Sequence, residues 1–120
     1  MVLPTTSRPD TYTIQAGEFP ICIARRFNLD LGDFLAVNGL TMSSRVSIGT
    51  SLKIPSSGTW TSNYGSRTLA PHPDTYYVNE GDTIGKIACL YGDVTPEAIL
   101  ANNGLKEAGD INAGQTLKIP

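Results

Sequence analysis

The sequence predicts an α+β protein built from two βααβ repeats, each a two-stranded antiparallel sheet with two helices packed on one face. The main observation is a duplication: residues 9–12 (PDTY) recur 64 positions later as 73–76, and residues 52–55 (LKIP) recur 65 positions later as 117–120. The offset changes once, near Asp93, as expected for a one-residue loop insertion between two helices. Self-similarity at a fixed spacing indicates a repeat architecture.

Strand-forming residues open and close each repeat. Residues 11–14 (TYTI) and 75–78 (TYYV) are β-branched or aromatic, as strands prefer. Residues 51–54 (SLKI) and 116–119 (TLKI) form short closing strands, each followed by a proline. Because the two strands of a repeat lie about 40 residues apart with helical segments between them, we expect them to pair antiparallel.

The first helix of each repeat is predicted by apolar residues at helical spacing. Pro20 is compatible with the first helix only in its first turn, where the missing N–H has no helical partner. In the second copy, Asp82 is the expected N-cap. The apolar positions are Ile23, Ala24 and Phe27 in the first copy and Ile84, Ile87, Ala88 and Tyr91 in the second.

The second helix of each repeat carries clearer start and stop signals. Asp30 and Thr95 are the expected N-caps, and Pro96 follows Thr95 at the first helical position. Asn-Gly pairs at 38–39 and 103–104 accept left-handed backbone and are expected to end the helices.

The repeats divide the chain into an N-terminal extension (1–8), repeat 1 (9–55), a linker (56–71) and repeat 2 (72–120). The linker contains Trp60 and Tyr64, which we expect to cover apolar surface of a repeat, with a place in a ligand surface as the alternative. Residues 1–8 lack the apolar core of a signal peptide, so we expect Met1 to be an introduced start.

Composition excludes several classes of function. A net charge of −2 and a pI of about 5.2 give no basic patch for nucleic acid or an anionic membrane. No apolar run approaches the ~20 residues that span a bilayer. One His and two distant Cys cannot supply a tetrahedral zinc site. We therefore expect no cofactor, no metal and no membrane insertion.

An ordered series of short motifs occurs in both repeats at matched spacing. The segments are YTIQAGE (12–18), IARRF (23–27), LAVNGL (35–40) and 49–55, then YYVNEGDTI (76–84), IACLYG (87–92), ILANNGL (99–105) and GQTLKIP (114–120). Each short motif is common by chance, but the whole series, found twice over about 95 of the 120 residues, resembles the LysM (lysin motif) family. The resemblance implies the βααβ fold and non-catalytic binding of glycans that contain N-acetylglucosamine, either peptidoglycan or chitin.

The resemblance also implies where the sugar binds, in a shallow groove between two loops of each repeat. One loop follows the first strand and the other follows the second helix. In repeat 1 the implied residues are Gly17, Glu18, Phe19 and Pro20, then Ser43, Ser44, Arg45 and Val46, preceded by Met42. In repeat 2 they are Gly81, Asp82, Thr83 and Ile84, then Ala108, Gly109, Asp110 and Ile111, preceded by Glu107.

These residue types suit an N-acetyl group. Loop backbone can pair its amide, while Ile84, Ile111 or Val46 can cover its methyl. Repeat 1 departs from the family pattern because Phe19 replaces a small hydroxyl residue and Pro20 lacks a backbone donor. The sequence therefore favours repeat 2 as the better site. The alternative for both loops is turn chemistry and helix capping alone.

The two cysteines lie at positions that do not correspond between the repeats. Cys22 aligns with Lys86 and Cys89 with Arg25. Because each repeat contains one cysteine, neither repeat can form an internal bridge. A Cys22–Cys89 disulfide would join the repeats and would require Cα atoms within about 7 Å. The alternative is two free thiols in a reducing compartment. A disulfide and a wall glycan both predict an extracellular, cell-wall-associated protein.

Two other functions fit the sequence less well. A glycosidase needs two carboxylates about 5–9.5 Å apart, but each repeat offers one acid in its groove loops, Glu18 or Asp82, and capping explains both. His72 has no nucleophilic constellation around it. A structural or protein-interaction module with vestigial grooves is the other alternative. Within glycan binding, the motif forms favour a bacterial wall-binding protein by analogy.

Overall fold

The computed structural model describes residues 7–120, so residues 1–6 of the N-terminal extension lie outside it. Each repeat follows the order strand, helix, helix, strand. Repeat 1 contains β1 (Thr11–Thr13), α1 (Pro20–Arg26), α2 (Leu31–Val37) and β2 (Ser51–Lys53). Repeat 2 contains β3 (Asp74–Tyr77), α3 (Ile84–Tyr91), α4 (Pro96–Asn102) and β4 (Thr116–Ile119).

The strands form two separate antiparallel pairs, one in each repeat. β1 pairs with β2 so that Tyr12 lies opposite Leu52, and β3 pairs with β4 so that Tyr76 lies opposite Leu117. These equivalent registers confirm the predicted α+β fold of two βααβ repeats. No helix within residues 7–120 is both long and apolar enough to cross a bilayer.

Each repeat has its own apolar core beneath its helices. In β1 and β2 the central residue is buried and its neighbours are exposed, which is the alternation expected when one sheet face is covered. The first core gathers residues from β1, α1, α2 and β2, and the second gathers the equivalent residues of repeat 2. Since each core is small, we expect each repeat to be only marginally stable alone.

Three of the four helices begin with a side-chain cap. Asp30 accepts from the backbone N–H of Asp33, and Thr95 accepts from that of Ala98, as predicted. The prediction that Asp82 caps α3 is wrong. Thr83 is the N-cap, and its hydroxyl accepts from Lys86 N–H at 3.1 Å. α1 begins at Pro20, as expected.

The Asn-Gly pairs end α2 and α4 and also tie these helices to the closing strands. Gly39 and Gly104 adopt φ values of +65° and +64°, which glycine tolerates without strain. Asn103 forms a two-way contact with Lys118: its side-chain oxygen accepts from Lys118 N–H, and its amide donates to Lys118 C=O. Asn38 makes the same pair of hydrogen bonds to Lys53.

The linker packs onto repeat 1. Trp60 and Tyr64 lie against the first core, and the Tyr64 hydroxyl donates to Asp30 and accepts from Gly32 N–H. Arg67 donates to the last carbonyls of α1. These contacts agree with the expectation that the linker aromatics cover apolar surface.

A disulfide joins the two repeats. Cys22 on α1 is bonded to Cys89 on α3, with the Cα atoms 5.3 Å apart. This confirms the predicted bridge and excludes the alternative of two free thiols. It fixes the first helices of the two repeats against each other.

Candidate functional site

The two predicted loops of repeat 1 meet and enclose a groove of about 470 Å³. We call this cavity groove 1. It is lined by Glu18, Phe19, Pro20, Ser43, Ser44, Arg45 and Val46. Of the eight residues predicted for repeat 1, Gly17 alone does not line it, because that glycine packs against repeat 2.

A smaller apolar cavity of about 190 Å³ adjoins groove 1. We call it the apolar lobe. It shares Phe19, Pro20 and Ser44 with groove 1, and its other lining residues are Ile21, Leu31, Leu35, Thr41 and Met42. Phe19 is 65% exposed and Met42 is 68% exposed. Large apolar side chains this exposed, beside polar hydroxyls, offer a ligand both an apolar surface and hydrogen-bonding groups.

The loop after α2 is held by its own hydroxyl groups. Thr41 N–H donates to the Ser44 hydroxyl at 2.8 Å, and the Thr41 hydroxyl lies 3.3 Å from that of Ser43. The Ser43 side chain is exposed. The Ser44 hydroxyl therefore stabilises the turn, and the exposed Ser43 side chain lies at the mouth of groove 1.

Glu18 has a structural role. Its side chain is fully buried, with Oε2 2.7 Å from Nη2 of Arg26, which is also fully buried. The Tyr12 hydroxyl and Gln15 N–H donate to the same carboxylate. Burial, chiefly, raises the pKa of Tyr12 above its ordinary value. The carboxylate therefore forms the floor of groove 1 with its oxygens already engaged.

The corresponding groove in repeat 2 is smaller, about 180 Å³. We call it groove 2. Thr83, Ile84, Ala108 and Gly109 line it, together with Gln15, Ala16 and Gly85. The other four residues predicted for this site, Gly81, Asp82, Asp110 and Ile111, do not line it.

Two of the predicted side chains that line groove 2, those of Thr83 and Ile84, already make structural contacts within the protein. Ile84 has an exposed fraction of 0% and belongs to the second core, so it shapes the floor of the groove. The Thr83 hydroxyl caps α3 and also donates to the Ala16 carbonyl at 2.9 Å. One wall of groove 2 is therefore made by repeat 1, and this narrows the site that the sequence favoured.

Asp82 is held by the turn that follows β3. Its carboxylate accepts from Asn79 N–H at 2.9 Å and from the Tyr76 hydroxyl at 2.7 Å, and Lys86 lies 3.3 Å away. These hydrogen bonds hold the pKa of Asp82 below its ordinary value, and the bond from Asn79 N–H has a larger effect than that from the Tyr76 hydroxyl. This carboxylate stabilises the loop that carries Thr83.

The structure brings together residues that the sequence analysis did not assign to any site. Gln15 borders groove 2 and also a cleft of about 530 Å³ between the repeats, where its amide donates to Glu97 at 2.7 Å. A signal existed in the unmatched cysteines, which placed α1 beside α3. It did not identify the residues that meet there.

The loop that follows the second helix carries a basic residue in repeat 1 and two acidic residues in repeat 2. Arg45 is exposed at the rim of groove 1. The corresponding turn of repeat 2 carries Glu107 and Asp110, each of which accepts from the backbone of the other. Within residues 7–120 no group of three or more His, Cys, Asp or Glu side chains is arranged to hold a metal ion.

Comparison with known proteins identifies the family. The model of the LysM domain matches residues 12–55 and 76–120. The chain belongs to the LysM family. The resemblance inferred from the two ordered series of motifs is therefore confirmed for both repeats.

This LysM chain is similar to wall enzymes and to a secreted effector. It is 33% identical over 109 residues to an N-acetylmuramoyl-L-alanine amidase, sle1, of Staphylococcus saprophyticus, covering 91% of this chain and 31% of that protein. A probable peptidoglycan endopeptidase, LytE, of Bacillus subtilis is 30% identical, covering 91% and 32%. The secreted LysM effector ECP6 of Passalora fulva is 25% identical, covering 99% and 62%.

The LysM chain spans about a third of the length of the two bacterial proteins. Among solved structures, the spore cortex-lytic enzyme SleL of Bacillus megaterium aligns with a TM-score of 0.36 and 30% identity, covering 92% of this chain and 22% of that one.

Proposed function

We propose that this LysM protein binds glycans containing N-acetylglucosamine, peptidoglycan or chitin oligomers, without catalysing a reaction on them. The observation that carries the proposal is groove 1. Two loops far apart in sequence meet to form an open cavity of about 470 Å³ from seven of the eight residues implied for repeat 1. Family membership supplies the class of ligand.

The chemistry of groove 1 suits an N-acetylated sugar. The apolar lobe can receive the acetyl methyl, and the face of Phe19 can pack against a sugar ring. The hydroxyl of Ser43 and the loop backbone can pair with the amide and the ring hydroxyls. We propose groove 1 as the main site and groove 2 as a secondary one, because repeat 1 narrows groove 2.

Catalysis has less support from this arrangement. A glycosidase needs one carboxyl to donate a proton and another to act as a base or nucleophile. Glu18 is ion-paired with Arg26, and Asp82 is bonded to Asn79 and Tyr76. These partners give both acids structural roles, so we propose binding as the activity of this chain.

The relatives support a location outside the cell. The named relatives are an N-acetylmuramoyl-L-alanine amidase, a probable peptidoglycan endopeptidase and a secreted effector. The disulfide fits an oxidising compartment. We therefore propose an extracellular protein associated with the cell wall or its fragments.

Titration calorimetry with N-acetylglucosamine tetramers and with soluble peptidoglycan fragments tests the proposal. Ser43→Trp should fill groove 1, and Gly109→Phe should fill groove 2, where a Cβ would meet nothing within 4 Å. Leu90→Trp adds the same bulk at an exposed position that lines neither groove. We expect a large loss of affinity with Ser43→Trp, a smaller loss with Gly109→Phe, and wild-type binding with Leu90→Trp.

A pull-down against insoluble peptidoglycan and insoluble chitin, side by side, determines which polymer is preferred. If none of these glycans binds to the wild-type protein, the proposal is wrong and a protein-interaction module becomes the better interpretation. If both groove variants, Ser43→Trp and Gly109→Phe, bind glycans as the wild type does, the grooves are not the binding site.

A further inference from the structure

Groove 1 carries an uncompensated positive charge. Two residues that line groove 1 are charged, Glu18 and Arg45. The negative charge of Glu18 is neutralised by its buried ion pair with Arg26. Within residues 7–120, no carboxylate lies within ion-pair distance of the Arg45 guanidinium, which is exposed at the rim. A glycan in groove 1 therefore meets one net cation, although a neutral sugar needs none.

The equivalent turn in repeat 2 shows that this charge is a difference between the grooves rather than a property of the fold. Arg45 corresponds to Asp110, and Met42 corresponds to Glu107, both at the offset of 65 residues. In repeat 2 the two acids cap each other's backbone in a short turn. The same loop thus offers a cation and an apolar side chain in repeat 1, but two acids in repeat 2.

The position of Arg45 relative to the apolar lobe narrows the ligand further. Groove 1 and the lobe adjoin through Phe19, Pro20 and Ser44, with Met42 in the lobe and Arg45 in the groove. A ligand that fills both presents a methyl group on one side and an anion on the other. N-acetylmuramic acid fits this description because its acetamido and lactyl groups stand on neighbouring ring carbons.

We propose that groove 1 selects a glycan carrying a free lactyl carboxylate, and that Arg45 pairs with this carboxylate. A guanidinium can hold a carboxylate by two parallel hydrogen bonds, so the contact provides orientation as well as attraction. In intact peptidoglycan that carboxyl is in amide linkage to the stem peptide and has no charge. Groove 1 therefore prefers strands from which the peptide has been removed, whereas groove 2, whose lining contains no cation, has no such preference.

This inference rests on the proposed glycan binding, and the test separates the two. The full chain carrying Gly109→Phe is titrated with three tetrasaccharides: N-acetylglucosamine alone, alternating N-acetylglucosamine and N-acetylmuramic acid with free carboxylates, and the latter with its carboxylates amidated. We expect the free carboxylate form to bind about five- to tenfold tighter than the amidated form, the range for a partly exposed charge-assisted pair. Added salt should reduce the difference.

Arg45→Gln should abolish this preference, whereas Arg45→Lys, which keeps the positive charge, should retain part of it. Lys53→Gln is the matched control, since it removes one exposed cation of the same repeat outside groove 1. Equal affinity for the free and amidated forms would overturn the inference and leave the proposed function intact. The same holds if Lys53→Gln lowers the preference as much as Arg45→Gln does. If none of the three glycans binds to the wild-type chain, both the inference and the proposed function are wrong.

A tetrasaccharide of alternating N-acetylglucosamine and glucuronic acid distinguishes the lactyl carboxylate from a carboxylate on the ring. We expect it to bind no more tightly than the N-acetylglucosamine tetramer. Tighter binding that depends on Arg45 would overturn the assignment to the lactyl group.

Discussion

The Thr83 hydroxyl donates a hydrogen bond to the carbonyl oxygen of Ala16, 2.9 Å away, and so joins the groove loop of one repeat to that of the other. The contact is close because Gly17, the next residue, has no side chain. Gly85 on α3 also lies against this carbonyl, since a Cβ at that position would collide with the Ala16 oxygen. The disulfide between α1 and α3 reinforces this contact, so the two grooves keep a fixed relation.

The glycine at this contact gives the first prediction. Gly17 and Gly81 are equivalent turn residues with φ of +83° and +85°, so alanine strains the backbone equally at both, by about 1–2 kcal/mol. A Cβ on Gly17 would also lie 2.9 Å from Lys86 N and closer still to Thr83 Oγ1, whereas a Cβ on Gly81 meets nothing within 4 Å. We expect Gly17→Ala to cost about 3 kcal/mol or more.

Urea denaturation of the two alanine variants measures this difference. Gly81→Ala is the matched control, because it carries the backbone strain without the contact between repeats. Equal losses of stability in the two variants would show that the repeats do not press together at Gly17.

The disulfide gives the second prediction. Cys22 and Cys89 are 67 residues apart in sequence, and on the chain-entropy model closing a loop of that length stabilises the fold by about 4 kcal/mol. The double variant Cys22→Ser/Cys89→Ser should therefore unfold at a much lower urea concentration. Reductant should shift the wild-type midpoint towards that of the variant and leave the variant unchanged. A variant as stable as the oxidised protein would contradict the prediction.

The buried ion pair between Glu18 and Arg26, beneath groove 1, gives the third prediction. Both Glu18 and Arg26 have fully buried side chains, and the Tyr12 hydroxyl bonds to both. Arg26→Met leaves the carboxylate without a cation and should cost about 3–5 kcal/mol. Adding Glu18→Gln to Arg26→Met removes the stranded charge and should recover part of that loss.

The double-mutant cycle of these two residues, followed by thermal unfolding, gives the coupling free energy of the pair. Losses that simply add would mean that the two charges do not depend on each other. Glycan affinity is measured alongside, since Glu18 forms the floor of groove 1.

Most of the fold could be predicted from sequence because its signals are local and occur twice. Asp30 and Thr95 cap their helices as predicted, since a capping side chain needs only residues three positions away. The same reasoning chose wrongly between Asp82 and Thr83, which are adjacent and can both cap. The structure decides for Thr83, because Asp82 is held by Asn79 and Tyr76.

The candidate site was harder to predict because the shape of groove 2 depends on how the repeats meet. The sequence favoured repeat 2, where Thr83 fits the family pattern better than Phe19 does. Comparing two motifs does not show that the Thr83 hydroxyl bonds to Ala16 and that Gln15 forms one end of groove 2. The cysteines indicated that the repeats touch, but no local pattern gives the orientation of two rigid units.

The fourth prediction concerns acid. The N–H of Asn79 and the hydroxyl of Tyr76 hold the pKa of Asp82 below its ordinary value in the folded state, whereas the unfolded chain keeps about 3.9. The unfolded state therefore binds more protons in acid, so this contribution to stability is complete above that value and is lost as pH falls through the folded pKa. We expect the urea concentration at the unfolding midpoint to decrease as the pH is lowered below about 5, and Asp82→Asn to weaken that pH dependence.

Carbon-detected NMR titration of the Asp82 carboxyl tests the cause of its low pKa. Tyr76→Phe should raise the pKa of Asp82 part of the way towards its ordinary value. An unchanged pKa would assign the whole effect to the Asn79 N–H and Lys86.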